Sequence, residues 1–126
     1  MEPGDSDSRR AAHAYGMRAE TLAALWLRAH FYSILERNYR VNGGEIDVIA
    51  KRGRTIVFVE VKARGALDDA AIAITPQKQR RFSRAANRWV ATHPWAMSYT
   101  LRVDAVFVAP GKLPRHVENA FELGVG

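Results

Sequence analysis

The segment TIVFVEVK, residues 55–62, restricts the possible folds more than any other part of this chain. Side chains alternate between the two faces of a strand, so Ile56 and Phe58 share one face and three valines share the other. Such a strand is typical of a sheet that helices cover on both sides. Glu60 and Lys62 continue the first face at the carboxyl end, where a cleft can open. The segment therefore predicts an α/β fold with charged residues at one end of a buried strand.

The other secondary-structure elements of the chain are consistent with this interpretation. Apolar periodicity and turn residues predict, in order, a helix over 13–30, strands over 33–41, 45–50 and 55–62, a helix over 75–92 and a strand over 99–110. Thr75 is the expected N-cap of the second helix, with Pro76 at its first position. We expect a short terminal helix from Pro114 onward. The order predicts a single domain over 13–126 with an αβββαβ core, a mixed central sheet flanked by helices, after a disordered tail over 1–12.

The charge of the chain favours a polyanionic partner. Nineteen Lys and Arg residues against thirteen Asp and Glu residues give a net charge of +6 and a pI near 10.2. Cationic side chains displace counterions from a phosphate backbone, so DNA is the partner that we expect. The chain has no cysteine, which excludes disulfides and thiolate zinc sites and fits a reducing cytoplasm. No apolar run approaches the ~18 residues of a membrane span, so we expect no membrane partner.

Two carboxylates in the predicted hairpin are candidates for a metal site. With a turn over 51–54, Asp47 faces Phe58 and becomes a diagonal neighbour of Glu60, about 7–8 Å away by backbone. Carboxylates that close such a gap can hold Mg²⁺, which prefers oxygen ligands. The alternative is structural: Glu60 and Lys62 would form an ion pair at the end of the strand.

A cationic stripe on the second helix is a candidate for phosphate contact. Three arginines lie with Gln77 within an arc of about 60°, opposite the side that Phe82 and Trp89 place toward the core; they are Arg81, Arg84 and Arg88. No acidic residue lies three or four positions from them, which favours phosphate contact over an ordinary solvated face. Arg64 and Lys78 are further candidates for contact with nucleic acid.

Several sequence blocks together resemble a known family. The motif of Asp47 followed by Glu60-Val61-Lys62 resembles the D…(D/E)xK signature of the restriction-endonuclease-like nuclease superfamily. The blocks GMRAE, ILERNYR, GGEIDVIA, VFVEVKAR, TPQKQRR, LRVDAVFV and RHVENAF occur in this order and resemble the YraN-like bacterial family, which is similar to archaeal Holliday-junction resolvases. The likeness covers nearly the whole chain after residue 13.

The resemblance implies a metal-dependent nuclease centre. It implies Asp47 and Glu60 as ligands of Mg²⁺ or Mn²⁺, and Lys62 as the residue that orients or deprotonates the attacking water. Glu20 corresponds to an acidic residue from the first helix, and Gln79 to a polar residue of the second helix. The implied substrate is DNA, including branched or otherwise structured DNA, and a homodimer is an assembly common among such resolvases. Asp104 has no assigned role.

Two other functional interpretations stay open. One is a basic nucleic-acid-binding module that keeps the fold but does not cut DNA. The other is a structural interaction domain whose charged dyads are ion pairs. Cleavage of DNA in the presence of a divalent cation distinguishes the first hypothesis from both.

Overall fold

The computed structural model describes residues 18–63 and 74–124, which form a sheet with one long helix on each face. The tail over 1–12, the beginning of the predicted first helix and Arg64 lie outside the described residues. The elements are α1 (18–29), β1 (Ser33–Val41), β2 (Gly44–Arg52), β3 (Thr55–Ala63), α2 (Pro76–Ala91), a 3₁₀ helix (Pro94–Ser98), β4 (Thr100–Val108) and β5 (Arg115–Val117). In the described part of the chain, no helix has the length and apolarity needed to span a membrane.

The sheet is mixed and has the strand order β1-β2-β3-β4-β5. Strands β3 and β4 are parallel, whereas the other neighbouring pairs are antiparallel. Val57 and Val59 of β3 pack in the core cluster that contains residues of α1, and Ile56 and Phe58 pack in the cluster that contains α2. The predicted α/β class, the αβββαβ core and the central position of β3 are therefore confirmed.

The predicted register of the β2–β3 hairpin is wrong by two residues. Arg52 pairs with Thr55, which leaves a two-residue turn that includes Gly53 at φ +59°. Such turns favour positive φ because their twist matches that of the flanking strands. Val48 pairs with Val59 as the last pair of the β2–β3 ladder on this side, so a ladder continued by one position would place Asp47 opposite Glu60 rather than opposite Phe58.

The predicted terminal helix is also wrong. The residues after Pro114 form β5, and Val117 pairs with Ala105 of β4. The Asn119 backbone N–H donates to the Asp104 side chain at 3.1 Å. Interactions with β4 thus hold the segment extended. The residues that interact are too far apart in sequence for a local pattern to indicate the contact.

Gly44 allows α2 to approach the beginning of β2 closely. A Cβ atom at this position would overlap the Arg81 carbonyl oxygen, so a residue with a side chain would push the helix away. The contact holds one side of α2 against the hairpin that carries Asp47. It also fixes the distance between the arginine stripe and the end of β3.

Candidate functional site

Two carboxylates and two amines meet where β3 ends beside the first turn of α2. The carboxyl groups of Asp47 and Glu60 lie close enough together for Glu60 to repel the charged form of Asp47. Glu60 Oε1 lies 3.4 Å from Lys62 Nζ and 3.5 Å from Lys78 Nζ. The side chains of Lys62 and Glu60 are only 8% and 14% exposed, whereas that of Lys78 is 51% exposed. The group is therefore a partly buried charge cluster with one side open to solvent.

Asp47 lies where the regular alternation of β2 is interrupted. Ile46 packs in the cluster beneath α2 and Val48 packs in the cluster beneath α1, although residues two apart normally share a face. The pairing of β2 with β3 ends at Val48, and the Val61 backbone N–H donates instead to Asp47 Oδ2 at 2.8 Å. A side chain thus takes the place of a ladder bond and directs the carboxyl group toward Glu60.

The environment of Asp47 disfavours its charged form. Burial, and then repulsion from Glu60, raises the pKa of Asp47 to about 8, although the Val61 N–H bond opposes the shift. Glu20 contributes a further repulsion. The carboxyl group is therefore largely protonated at neutral pH in the metal-free protein, and a cation placed between Asp47 and Glu60 would favour its ionisation.

The two lysines differ in their electrostatics. Burial, and then contact with Lys78, lowers the pKa of Lys62, so its neutral amine is more accessible than that of a free lysine. Contact with the Lys62 amine, together with nearby Glu60, raises the pKa of Lys78, which stays an ammonium. The sequence indicated Lys78 only as a phosphate contact. Its approach to Glu60 depends on how α2 docks on β3, which no local pattern indicates.

Glu20 reaches the region of the site from α1. It is half-buried, and its charge acts on Asp47. The side-chain nitrogen of Asn38, once its amide is oriented toward Glu20, lies 2.8 and 3.3 Å from the two carboxylate oxygens. Asn38 has φ +53°, a conformation that asparagine adopts more readily than most residues. The sequence analysis missed Asn38, although an Asn in the middle of a predicted strand was an available signal.

Gln79 does not contact the two carboxylates through a hydrogen bond of the described residues. The residue is half-buried, and Nε2 donates to the Ile74 carbonyl at 3.2 Å. This bond ties the first turn of α2 to the residue before its Thr75 N-cap. A direct role for Gln79 at the site stays a prediction.

The arginine stripe extends away from this cluster along α2. Arg81 lines a small depression that also contains Glu45 and Glu60, and Arg84 donates to the Gly43 carbonyl at 3.1 Å. Arg88 lies exposed in the last turn of the helix. The structure thus places Lys78 and the three arginines on one side of α2, beginning at the charge cluster.

Asp104 belongs to a separate polar network on the α1 side of the sheet. It is fully buried, and Arg102 Nε and Nη2 donate to its two oxygens at 2.8 Å each. His116 Nε2 lies 2.7 Å from Oδ2, and Arg102 also bonds to the Tyr32 hydroxyl at 2.9 Å. Burial opposes ionisation, but the bonds from His116 and Arg102 prevail and lower the pKa of Asp104 to about 2. The network joins β4 to β5.

The donor set of the site fits a hard divalent cation. Within residues 18–63 and 74–124, no three His, Cys, Asp or Glu side chains form a preassembled metal cluster. Asp47 and Glu60 nevertheless converge as an all-oxygen pair whose mutual repulsion a cation would relieve. Mg²⁺ is commonly held by one or two carboxylates, with water and phosphate oxygens completing the coordination. The residues present fit such an ion and do not fit a thiolate or multi-histidine site.

The shifted pKa of Asp47 predicts a pH-dependent gain in stability from Asp47→Asn. When folding raises the pKa of a carboxyl group, the protonated group stabilises the folded state at pH values below its pKa in the unfolded chain. For Asp47, this contribution disappears as pH rises from about 4 to about 8. Asparagine keeps the acceptor for Val61 N–H but cannot ionise. In EDTA at pH 9, we expect the free energy of unfolding of Asp47→Asn to exceed that of the wild type by about 2–5 kcal/mol.

Urea unfolding at pH 5, 7 and 9 measures this effect. Glu122→Gln, which removes one exposed carboxylate, is the control and should shift stability by less than about 0.5 kcal/mol at each pH. An equal difference between Asp47→Asn and wild type at pH 5 and pH 9 would contradict the electrostatic account, because burial and repulsion act only on the ionised group.

Comparisons with known proteins give a consistent family match. The sequence model described as "Uncharacterised protein family UPF0102" matches residues 19–108. A UPF0102 protein of Methylocella silvestris is 59% identical over 122 residues, which cover 97% of this chain and 98% of the relative. A UPF0102 protein of Methylorubrum extorquens is 56% identical, with 96% of this chain and 95% of the relative covered. A third, from Methylobacterium nodulans, is 54% identical over 91% of this chain and 89% of the relative.

Proposed function

Because the chain belongs to the uncharacterised protein family UPF0102, the YraN family, whose description assigns no reaction, we propose its function from the site itself. The protein is a divalent-metal-dependent endonuclease that hydrolyses phosphodiester bonds of DNA, including branched or otherwise structured DNA. One arrangement carries the proposal: Asp47 lies within the electrostatic reach of Glu60, and the Lys62 amine lies 3.4 Å from the same Glu60, at the end of one buried strand. The resemblance to D…(D/E)xK nucleases is consistent with the family.

Asp47 and Glu60 would hold Mg²⁺ or Mn²⁺. When bound, such an ion lowers the pKa of a water molecule and neutralises charge on the phosphoryl oxygens. The protein contributes the positions of its own groups. The Val61 N–H fixes Asp47, and the buried stem of Lys62 fixes the amine beside Glu60.

The lysines have separate roles in the proposed reaction. Lys62, whose pKa is lowered by burial, accepts a proton from the attacking water as its neutral amine. Lys78 remains an ammonium at the solvent-exposed side, where it can leave Glu60 and bind a phosphate oxygen. Arg81 and Arg84 would hold flanking phosphates through contacts that do not depend on base sequence. A homodimer would provide two such sites for paired cuts in a branched substrate.

A nucleic-acid-binding module without catalysis is the second candidate. It is favoured by the pairing of both lysines with Glu60, which already balances part of the acidic charge. In this alternative the cluster stabilises the end of β3, and the arginine stripe alone performs the function. Salt-sensitive DNA binding without cleavage under any divalent cation would select this candidate.

Cleavage of DNA by purified protein tests the proposal. Supercoiled plasmid and a synthetic four-way junction are incubated with Mg²⁺, Mn²⁺ or EDTA. We expect cleavage with either cation, none in EDTA, and none from Asp47→Asn, while its DNA affinity in EDTA equals that of the wild type. Glu122→Gln, which alters an exposed carboxylate, is the control that should cleave normally.

Cation binding can be measured without substrate. A saturating cation at a hundred times its Kd stabilises the folded wild type by about 2.7 kcal/mol. The stabilisation should grow between pH 6 and pH 8, because the proton on Asp47 competes with the ion. Thermal unfolding with and without Mn²⁺ gives this value. An equal Mn²⁺ effect on the wild type and on Asp47→Asn would remove Asp47 from the ligand set.

A further inference from the structure

A cleft next to the charge cluster has no role in the proposed chemistry beyond the contact of Arg84 with a flanking phosphate. One wall is the last half of α2, and the other is the end of β1 with its turn into β2. The cleft measures about 610 Å³. Its lining residues are Tyr39, Arg40, Val41, Asn42, Arg84, Asn87 and Arg88. The size is within the range of pockets that hold small molecules, so a nucleotide or two can enter, whereas a DNA duplex cannot.

The charge of the cleft is strongly positive. It contains three arginines, and none of the described residues that line it is acidic. Arg84 donates to the Gly43 carbonyl at 3.1 Å, which bridges the two walls and holds the cleft open in a fixed shape. Arginines so close to one another repel, and phosphate oxygens that neutralise them release condensed counterions on binding. The cleft therefore favours a polyanion.

Arg40 can exchange Glu45 for another partner with little loss of free energy. Its Nε lies 3.4 Å from Glu45 Oε2, and the two side chains are 75% and 57% exposed. Exposed ion pairs contribute little free energy, so a phosphate can replace Glu45. Arg40 would then face Arg88 across the cleft as the second wall of a phosphate site. The sequence analysis indicated the arginines of α2 but not Arg40.

The cleft adjoins the site at the end of β3 through neighbouring residues. Glu45, the partner of Arg40, lines the small depression that contains Glu60 and Lys78. Arg81 of that depression and Arg84 of the cleft are one helical turn apart on α2. From Lys78 to Arg88 the helix rises about 15 Å, a distance that an unpaired strand of a few nucleotides can cover. A strand that occupies the cleft would therefore reach the charge cluster.

The lining also contains groups that can contact bases. Tyr39 offers a half-buried ring, and stacking of a base on an aromatic side chain contributes about 1–3 kcal/mol. Asn42 offers an exposed amide that can bond to base edges. A duplex keeps its bases stacked within the helix, so these contacts are available only to an unpaired strand. The combination of cations, an aromatic ring and an amide is typical of single-strand binding.

We infer that the cleft between α2 and the β1–β2 turn binds an unpaired nucleic-acid strand and leads it to Asp47 and Glu60. The statement that the bound strand is cleaved rests on the proposed function. It gives the nuclease a substrate with a single-stranded segment next to the scissile bond. Binding itself is independent of catalysis and can be measured in EDTA.

Fluorescence anisotropy of the full chain in EDTA tests the cleft. The probes are a fluorescein-labelled 12-nucleotide single strand and a hairpin duplex with the same sequence in its stem. We expect tighter binding of the single strand. Arg40→Ala with Arg88→Ala should weaken this binding about tenfold and reduce the slope of log K against log salt by about 1.4. Tyr39→Leu should weaken single-strand binding about 5- to 150-fold, with little effect on the duplex.

The matched control removes the same charge elsewhere. Arg18→Ala with Arg28→Ala changes two exposed arginines of α1, on the opposite face of the sheet, and should alter affinity less than threefold. Tyr39 packs against the core, so Asn42→Ala, at an exposed position, provides a second variant if Tyr39→Leu lowers the melting temperature. For Asn42→Ala we expect a two- to fivefold loss for the single strand only.

Three results would overturn the inference: equal losses in the cleft and control double variants, a preference for the duplex, or competition by inorganic phosphate as strong as that by the oligonucleotide. The outcomes separate it from the nuclease proposal. Single-strand binding in the cleft without cleavage in Mg²⁺ or Mn²⁺ would support the cleft and refute the nuclease. Cleavage that is unaffected by Arg40→Ala with Arg88→Ala would support the nuclease and refute the cleft.

Discussion

Lys62→Met should reduce metal-dependent cleavage of DNA about 10²–10⁴-fold, the range that proton transfer by a positioned side chain contributes. The Lys62 side chain is 8% exposed and its amine lies 3.4 Å from Glu60, and burial lowers the pKa of the amine, which makes the neutral, basic form more accessible. Methionine has a similar length and fills the same buried volume. The substitution therefore removes the amine while the packing at the end of β3 is kept.

Lys62→Arg separates a proton acceptor from a simple positive charge. Arginine stays protonated at every pH at which the protein is folded, so it cannot take a proton from water. We expect Lys62→Arg to be as inactive as Lys62→Met, and neither to lose DNA affinity in EDTA. Initial rates between pH 6 and pH 9 provide the measurement. Lys112→Met, at an exposed position in the segment between β4 and β5, is the control and should keep the wild-type rate.

Two outcomes would contradict this role. Cleavage by Lys62→Met at the wild-type rate would show that the amine takes no part in the reaction. Restored cleavage by Lys62→Arg would show that the position needs only a cation. Neither outcome bears on the proposed role of Asp47 and Glu60 as metal ligands, because the Mn²⁺-dependent gain in stability tests that role separately.

The sequence indicated the centre of the fold because the information there is local. The apolar residues on both faces of residues 55–62 place β3 within the sheet, and the Thr75-Pro76 pair marks the beginning of α2. The register of the hairpin was less accessible, since it depends on whether the turn has two or four residues. Asp47 also lies where the alternation of β2 is interrupted, so register alone does not determine the face that its carboxylate takes.

Features that depend on contacts distant in sequence could not be predicted. The interruption of β2 at Asp47 requires Val61 to donate to its side chain, and the approach of Lys78 to Glu60 requires α2 to dock on β3. The end of the chain looked helical after Pro114, yet pairing with β4 makes it a strand. In each case partners between 8 and 18 residues away decide the structure, and the local pattern contains no record of those partners.

Asp104→Asn should destabilise the folded protein by about 3–5 kcal/mol, the usual cost of removing one partner from a buried ion pair. The carboxylate is fully buried and accepts two bonds from Arg102, one from the Asn119 backbone and a short contact with His116. An asparagine has the same shape but one acceptor oxygen fewer, and its NH₂ group would face N–H donors that now bond to Asp104. The segment that includes β5 would lose the interactions that hold it on β4.

Glu118→Gln is the matched control for Asp104→Asn, because Glu118 binds the same Arg102 at 2.9 Å but is 56% exposed. An exposed pair of this kind contributes at most about 1 kcal/mol, so the two variants should differ several-fold in their effect. Urea unfolding at pH 7 gives both values. Equal effects of the two substitutions would mean that the buried network does not stabilise β5.

The pH dependence of the Asp104→Asn effect tests its electrostatic origin. Folding lowers the pKa of Asp104 to about 2, so the stabilisation is present above the unfolded value near 4 and is lost as pH falls toward 2. The difference in unfolding free energy between wild type and Asp104→Asn should therefore shrink in acid, whereas a loss caused by packing alone would not change. Asp47 behaves in the opposite way, since its ionisation destabilises the fold at alkaline pH. The two carboxylates thus have different physical roles: Asp104 makes four contacts with three residues and holds the fold together, whereas Asp47 is repelled by a second carboxylate, where the proposed cation would bind.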